Sequence, residues 1–229
     1  MIIVNSNLPA DIFSALNELP YKVKCAPVSS KLPRELSAHP DMLIHASPEG
    51  FVCPPEIHDA LSIDGISSLC GCAEPSAIYP DDILYNCFCI NGALICNEKH
   101  TDSVILDIYR RRGAPVFHTN QGYASCSTLR IGSAAITADT SIADACEKAG
   151  ARVLCISPGG IRLDGYSYGF IGGCGGCVDG KLLLFGDPLT HPDGKHIVSF
   201  TESLGVEVVS LCGGMLTDYG GIIPCSDAF

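Results

Sequence analysis

The sequence predicts a five-fold α/β propeller: five ββαβ units, each with its helix outside and its first strand beside a central channel. Three observations carry this. A hairpin–helix–strand order recurs along the chain, three helices each stop at Gly-x-x-Val, and the two ends of the chain hold complementary parts of one further unit. One hairpin and one short helix cannot bury a core, so such units are stable only when stacked against neighbours.

In chain order, Met1 to Asn5 reads as a second strand. Ala10 to Leu19 reads as a helix with Ile12, Phe13, Leu16 and Leu19 on one face, and Tyr21 to Val28 as a closing strand. The missing first strand of this unit is Gly220 to Pro224 at the opposite end, so N- and C-terminal segments are expected to pair. A poorer copy follows, with a first strand at Asp41 to His45, a turn at Gly50, a second strand at Phe51 to Cys53 and the short helix PPEIHDAL. Its closing strand is not legible in the irregular Ser62 to Pro80 region. That region and Ser29 to Pro40 read as long surface loops.

Tyr85 to Cys96 is a hairpin turning at Asn91-Gly92, a pair that favours a two-residue turn. A helix carrying Val104, Ile105 and Ile108 runs from there to Gly113, and Ala114 to Phe117 closes the unit. From Tyr123 the order repeats, with a turn at Gly132, a helix bearing Ile142, Ala145, Cys146 and Ala149, a stop at Gly150 and a strand at Ala151 to Ile156. The last copy starts near Phe170 and turns at Asp179-Gly180 into Lys181 to Phe185. Its helix carries Ile197, Phe200 and Leu204, ends at Gly205, and leads into Val206 to Leu211. Glycine after a helix with a β-branched residue opening the next strand is what an αβ connection requires. The four turn glycines are spaced by 42, 40 and 48 residues. A doubly wound α/β sheet is the alternative fold, but it does not explain a hairpin before each helix. No linker divides residues 1–229, which read as a single domain.

The 229 residues carry a formal charge of −11 and are 47% hydrophobic, enough for a real core. Acidity without a basic run argues against nucleic acid or an anionic membrane as partner, because phosphate binding needs clustered Lys and Arg. Arg110-Arg111-Arg112 reads instead as a helix end, where positive charge complements the dipole. The N-terminus has no signal-peptide pattern, and no apolar run reaches the roughly 18 residues a membrane span needs. The expectation is a cytoplasmic protein whose 14 cysteines are reduced.

The terminal Asp218-Tyr219-Gly220-Gly221-Ile222-Ile223-Pro224-Cys225-Ser226, set in this repeat, resembles the last strand of the guanidino-group-modifying enzymes, or penteins. That fold family includes arginine deiminases, agmatine deiminases and dimethylarginine dimethylaminohydrolases. More closely, the chain resembles an uncharacterised bacterial family assigned to that fold. The resemblance implies that Cys225 is a nucleophile attacking the guanidinium carbon of an arginine-like substrate. It also implies carboxylates that orient the cation, for which Asp218, Asp164 and Asp41 are the candidates. In these hydrolases a His on the first strand of the module matching Pro115 to Ile131 shuttles the proton. Ungapped alignment places Gln121 there, and glutamine cannot do so. His118, three residues earlier, and His45, on the first strand of another module, are the substitutes.

Cys87, Cys89, Cys126, Cys174 and Cys177 fall on expected first strands, whereas Cys53, Cys96, Cys146 and Cys155 read as core. Cys174-x-x-Cys177 with Cys87-x-Cys89 has the residue types for a thiophilic metal, though the spacing alone is weak and no metal or cofactor is assigned. Gly172 to Gly176 is not a phosphate loop, since no Lys-Ser/Thr follows. Asn97, Asp139 and Asp187 read as helix N-caps. Two functional readings therefore stand. One is a Cys-dependent hydrolase or transferase acting on a guanidino or related C–N substrate; the other is a non-catalytic propeller whose pore holds a small polar ligand or a thiol-bound metal.

Overall fold

Among the residues described by the computed structural model, 1–225, fifteen strands fall into five three-stranded sheets of one pattern. Ser226, which ends the terminal motif, lies outside the described residues, as does the rest of the 1–229 span beyond it. The first unit joins the chain ends: β1 (Ile2–Val4), α1 (Ala10–Asn17) and β2 (Val23–Cys25) are completed by β15 (Ile223–Pro224), antiparallel to β1. The second comprises the helical turn α2 (Pro40–Leu43), β3 (His45–Ser47), β4 (Gly50–Cys53), α3 (Pro55–Ile63) and β5 (Ser68–Cys70). The third is β6 (Phe88–Ile90), β7 (Ala93–Cys96), α4 (Ser103–Arg111) and β8 (Val116–His118). The fourth is β9 (Thr128–Ile131), β10 (Ala134–Thr137), α5 (Thr140–Lys148) and β11 (Arg152–Cys155). The fifth is β12 (Gly175–Val178), β13 (Lys181–Leu184), α6 (Gly194–Ser203) and β14 (Glu207–Ser210). In every sheet the second strand is central, antiparallel to the first and parallel to the third across the helix.

The helices follow from their apolar stripes. In α4, Ile105, Leu106, Ile108 and Tyr109 are buried while the Arg face is exposed. Asp102 caps it by accepting from the Val104 N–H at 2.9 Å, and Asp139 caps α5 through the Ile142 N–H at 3.0 Å. Gly113, Gly150 and Gly205 follow α4, α5 and α6 with φ of 63°, 78° and 75°, the left-handed conformation that releases the chain into the closing strand. Covered on both faces, the central strands β7 and β10 are wholly buried, which accounts for their continuous apolar runs.

Several expectations change. Asp41 to Leu43 is a helical turn, so the second unit's first strand begins only at His45, and its unread closing strand is Ser68–Cys70. Cys126 and Cys174 sit in tight turns leading into β9 and β12, and Cys87 immediately precedes β6. Asp102, not Asn97, caps α4. Cys53, Cys96 and Cys146 are buried as expected, but Cys155 is exposed, because β11 is an outer edge strand.

Candidate functional site

A cavity of about 380 Å³ is lined by residues from the first-strand segment of all five units. The ladder registers explain how. His45, Phe88, Leu129, Gly176 and Ile223 each lie opposite the equivalent residue of their central strand. One step on, Ala46, Cys89, Arg130, Cys177 and Pro224 occupy matching positions, and all five line the cavity. Each first strand is also an edge strand, so an edge of backbone, together with these side chains, is available to the cavity.

At the end where the first strands begin, three titratable groups converge. His39 Nδ1 lies 3.7 Å from Asp218 Oδ1 and 4.0 Å from Asp41 Oδ1. Asp218 accepts from the Phe170 N–H at 2.9 Å and the Gly220 N–H at 3.0 Å, which offset the upward pull of burial on its carboxyl. Asp41 is only 5% exposed and lines the cavity, yet neither carboxyl oxygen has a hydrogen-bond partner. Burial, reinforced by the neighbouring Asp218 charge, pushes its carboxyl up to about 8, so it is largely protonated at neutral pH. Burial holds the His39 ring below its usual value. The glycine-rich 172–173 segment serves this packing: a Cβ on Gly173 would collide with the Asp218 carboxylate, and one on Gly172 with the Ser125 carbonyl.

Asn86 ties three units together here. Its Nδ2 donates to the Asp41 carbonyl at 3.1 Å and contacts Cys126 Sγ at 2.8 Å, while Oδ1 accepts from the Ser125 N–H at 2.8 Å. Farther along the wall stands Arg130, its guanidinium carbon 5.6 Å from the Phe88 ring centroid, with no hydrogen bond or ion pair among the described residues. His45 is fully buried. Its Nδ1 contacts the Cys87 carbonyl at 3.0 Å and Cys87 Sγ at 3.3 Å, and its Nε2 contacts the Tyr109 hydroxyl at 3.1 Å. A carbonyl only accepts, so Nδ1 carries the proton and Tyr109 donates to Nε2. Burial lowers this ring to about 4, keeping it neutral.

The sequence-nominated residues therefore divide. Asp41 and Asp218 are brought together by His39. Asp164 is exposed and paired with Arg162 at 2.8 Å. His118 is exposed on β8 and accepts from the Glu98 N–H, and Gln121 lines a separate cavity of about 110 Å³ with Ser127 and Phe170. Cys225 is not among the residues lining the 380 Å³ cavity; it packs beside the cluster containing Ile3, Phe51 and Ile223, and its N–H donates to the Met1 carbonyl.

Cys87, Cys89 and Cys177 do line the cavity. Burial pushes the Cys87, Cys126 and Cys174 thiols well above their ordinary value. Among the described residues no three His, Cys, Asp or Glu side chains come together to hold a metal ion. No described helix is long and apolar enough to cross a membrane. Arg130, His39, Asn86 and Tyr109 were not singled out from sequence. The available signal was Arg130 alone, a charge inside an otherwise apolar strand. No curated protein matches the chain. A family model described as a family of unknown function, DUF6873, matches residues 3–223, and the chain belongs to that family.

Proposed function

We propose that the five units close into a pentein-like five-fold propeller whose pore binds a small polar molecule, with a guanidinium- or amidinium-like group docked at Asp41. Convergence of five first strands on one cavity, and the β15–β1 pairing that joins the chain ends, support the closed arrangement. The observation carrying the binding reading is Asp41, a buried residue of the cavity lining whose carboxyl oxygens accept no hydrogen bond. An unsatisfied buried polar group costs about 1–3 kcal/mol, which a ligand offering paired N–H donors recovers. Arg130, likewise without a hydrogen-bond partner, supplies the complement for an anionic end of the same ligand.

The hydrolase reading built on Cys225, His45 and His118 draws no support from this geometry, because the three occupy separate places. Isothermal titration with guanidine, agmatine, arginine and matched alkylamines tests the binding reading. Guanidino compounds are expected to bind the wild type with release of the Asp41 proton, and to lose at least about tenfold in affinity in Asp41→Asn, the loss of the charge-assisted contact formed once that proton has left. Absence of binding by the whole panel, or equal binding to the variant, overturns it.

A further inference from the structure

We propose that the cavity of about 110 Å³ beside α5 is a second binding site, which seats the methylated ammonium head of a small organic cation between two aromatic rings and the Asp139 carboxylate. The cavity lies where the parallel strands β10 and β11 run out: Ala138 and Asp139 follow the first, Ile156 and Ser157 the second. The crevice outside the carboxyl ends of parallel strands is a recurrent ligand seat in α/β proteins. No residue lines both this cavity and the 380 Å³ one, so the site is additional to the guanidinium reading and independent of Asp41. Its volume is below the roughly 300 Å³ at which pockets for larger ligands begin, which limits the occupant to a small head group. Two of its walls are aromatic. Tyr168 and Phe170 both line it, with ring centroids 6.2 Å apart and planes at 89°, an edge-to-face pair that covers less ring face than stacking does. Gly169 between them is pinned: its N–H donates to the Ile161 carbonyl at 2.9 Å, and a Cβ there would stand 2.6 Å from the Asp218 Cβ. The Phe170 N–H donates to Asp218 at 2.9 Å, so the segment carrying both rings is fixed before a ligand arrives.

The charge comes from Asp139. Its Oδ1 accepts both capping bonds of α5, from the Ile142 N–H at 3.0 Å and the Ser141 hydroxyl at 2.7 Å, whereas Oδ2 accepts no hydrogen bond among the described residues. Two more carboxylates stand behind the lining: Asp193 accepts from the Ser157 N–H at 2.6 Å, and Asp218 from Phe170. No Lys or Arg lines the cavity, so an anion finds no partner there. One free carboxylate oxygen is too few for the oxygen shell of a calcium or magnesium ion, and it cannot pair bidentately with a guanidinium. A methylated ammonium fits both sides of this chemistry: its methyl groups meet Ile156, Ile161 and Ile171, and its diffuse charge is held by ring faces and by Asp139.

The experiment titrates isotope-labelled full-length protein with choline, and with the uncharged dimethylbutanol in which carbon replaces its nitrogen, and follows the backbone amides by NMR. Choline is expected to shift the Gly159, Gly169 and Phe170 amides saturably and to bind at least about fivefold more tightly than the uncharged isostere. Tyr168 is exposed, so its replacement leaves the core intact. Tyr168→Leu is expected to weaken choline binding at least about threefold while Tyr168→Phe, which keeps the ring, retains it. Asp139→Asn still caps α5 and is expected to weaken binding by a similar factor, whereas Asp41→Asn leaves it unchanged. The proposal is overturned if the isostere binds as tightly as choline, if shifts are absent or confined to the 380 Å³ cavity, or if Tyr168→Leu leaves the affinity where it was.

Discussion

Replacing Asp41 with asparagine should change how stability depends on pH. In the folded protein burial and Asp218 hold the Asp41 carboxyl at about 8, against an ordinary 3.8. The folded state therefore keeps a proton that the unfolded chain releases, so wild-type stability falls as pH rises from 3.8 toward 8 and levels off above it. At about 1.36 kcal/mol for each tenfold in proton affinity, this linkage amounts to at most about 6 kcal/mol, reduced to the extent that Asp218 and His39 share the proton. Asparagine cannot ionise and nearly preserves shape. The stability difference, variant minus wild type, should therefore climb by several kcal/mol between about pH 5 and about pH 8 and then flatten. The chain has no Trp, so urea unfolding is followed by far-ultraviolet circular dichroism across that range. His45 contributes with opposite sign but equally in both proteins, so it cancels in the difference. A difference that stays flat within about 0.5 kcal/mol, or falls with pH, would refute a buried, protonated Asp41.

Three further outcomes are expected. His45, held at about 4 against 6.5, favours folding above 6.5 and loses that contribution as pH drops through 4; the acid-side loss, about 3 kcal/mol, should shrink in His45→Gln when unfolding is measured at several pH values. Gly173→Ala drives a methyl into the Asp218 carboxylate and should cost about 1–3 kcal/mol in urea unfolding, whereas Ala at Gly213, whose Cβ position is empty, should be nearly neutral. Ile105→Ala empties a fully buried site in the third unit and should cost about 2–5 kcal/mol by the same measurement.

Most of the architecture was legible because it is written in local rules. Turn pairs such as Asn91-Gly92, apolar stripes such as Ile142, Ala145 and Cys146, and the stop glycines Gly113, Gly150 and Gly205 act within a few residues, and the structure places strands and helices where they point. The second unit was less legible. Pro40 opens a helical turn where the apolar run Met42-Leu43-Ile44 resembles a strand, and a three-residue closing strand leaves too short a pattern to read. The β15–β1 ladder covers only Ile223 and Pro224, so no local pattern tells which way Cys225, one residue beyond it, faces.

Local sequence rules thus define the unit: its order of elements, its repetition, and the split of one copy between the chain ends. Which side chains meet is set by how the units pack. Asp218 lies far along the chain from His39 and Asp41, and His45 and Tyr109, which meet through a hydrogen bond, belong to different units. Burial, which turns Asp41 into a protonated acid and leaves Arg130 without a hydrogen-bond partner, is a property of five units packed around a cavity, and no single unit contains it.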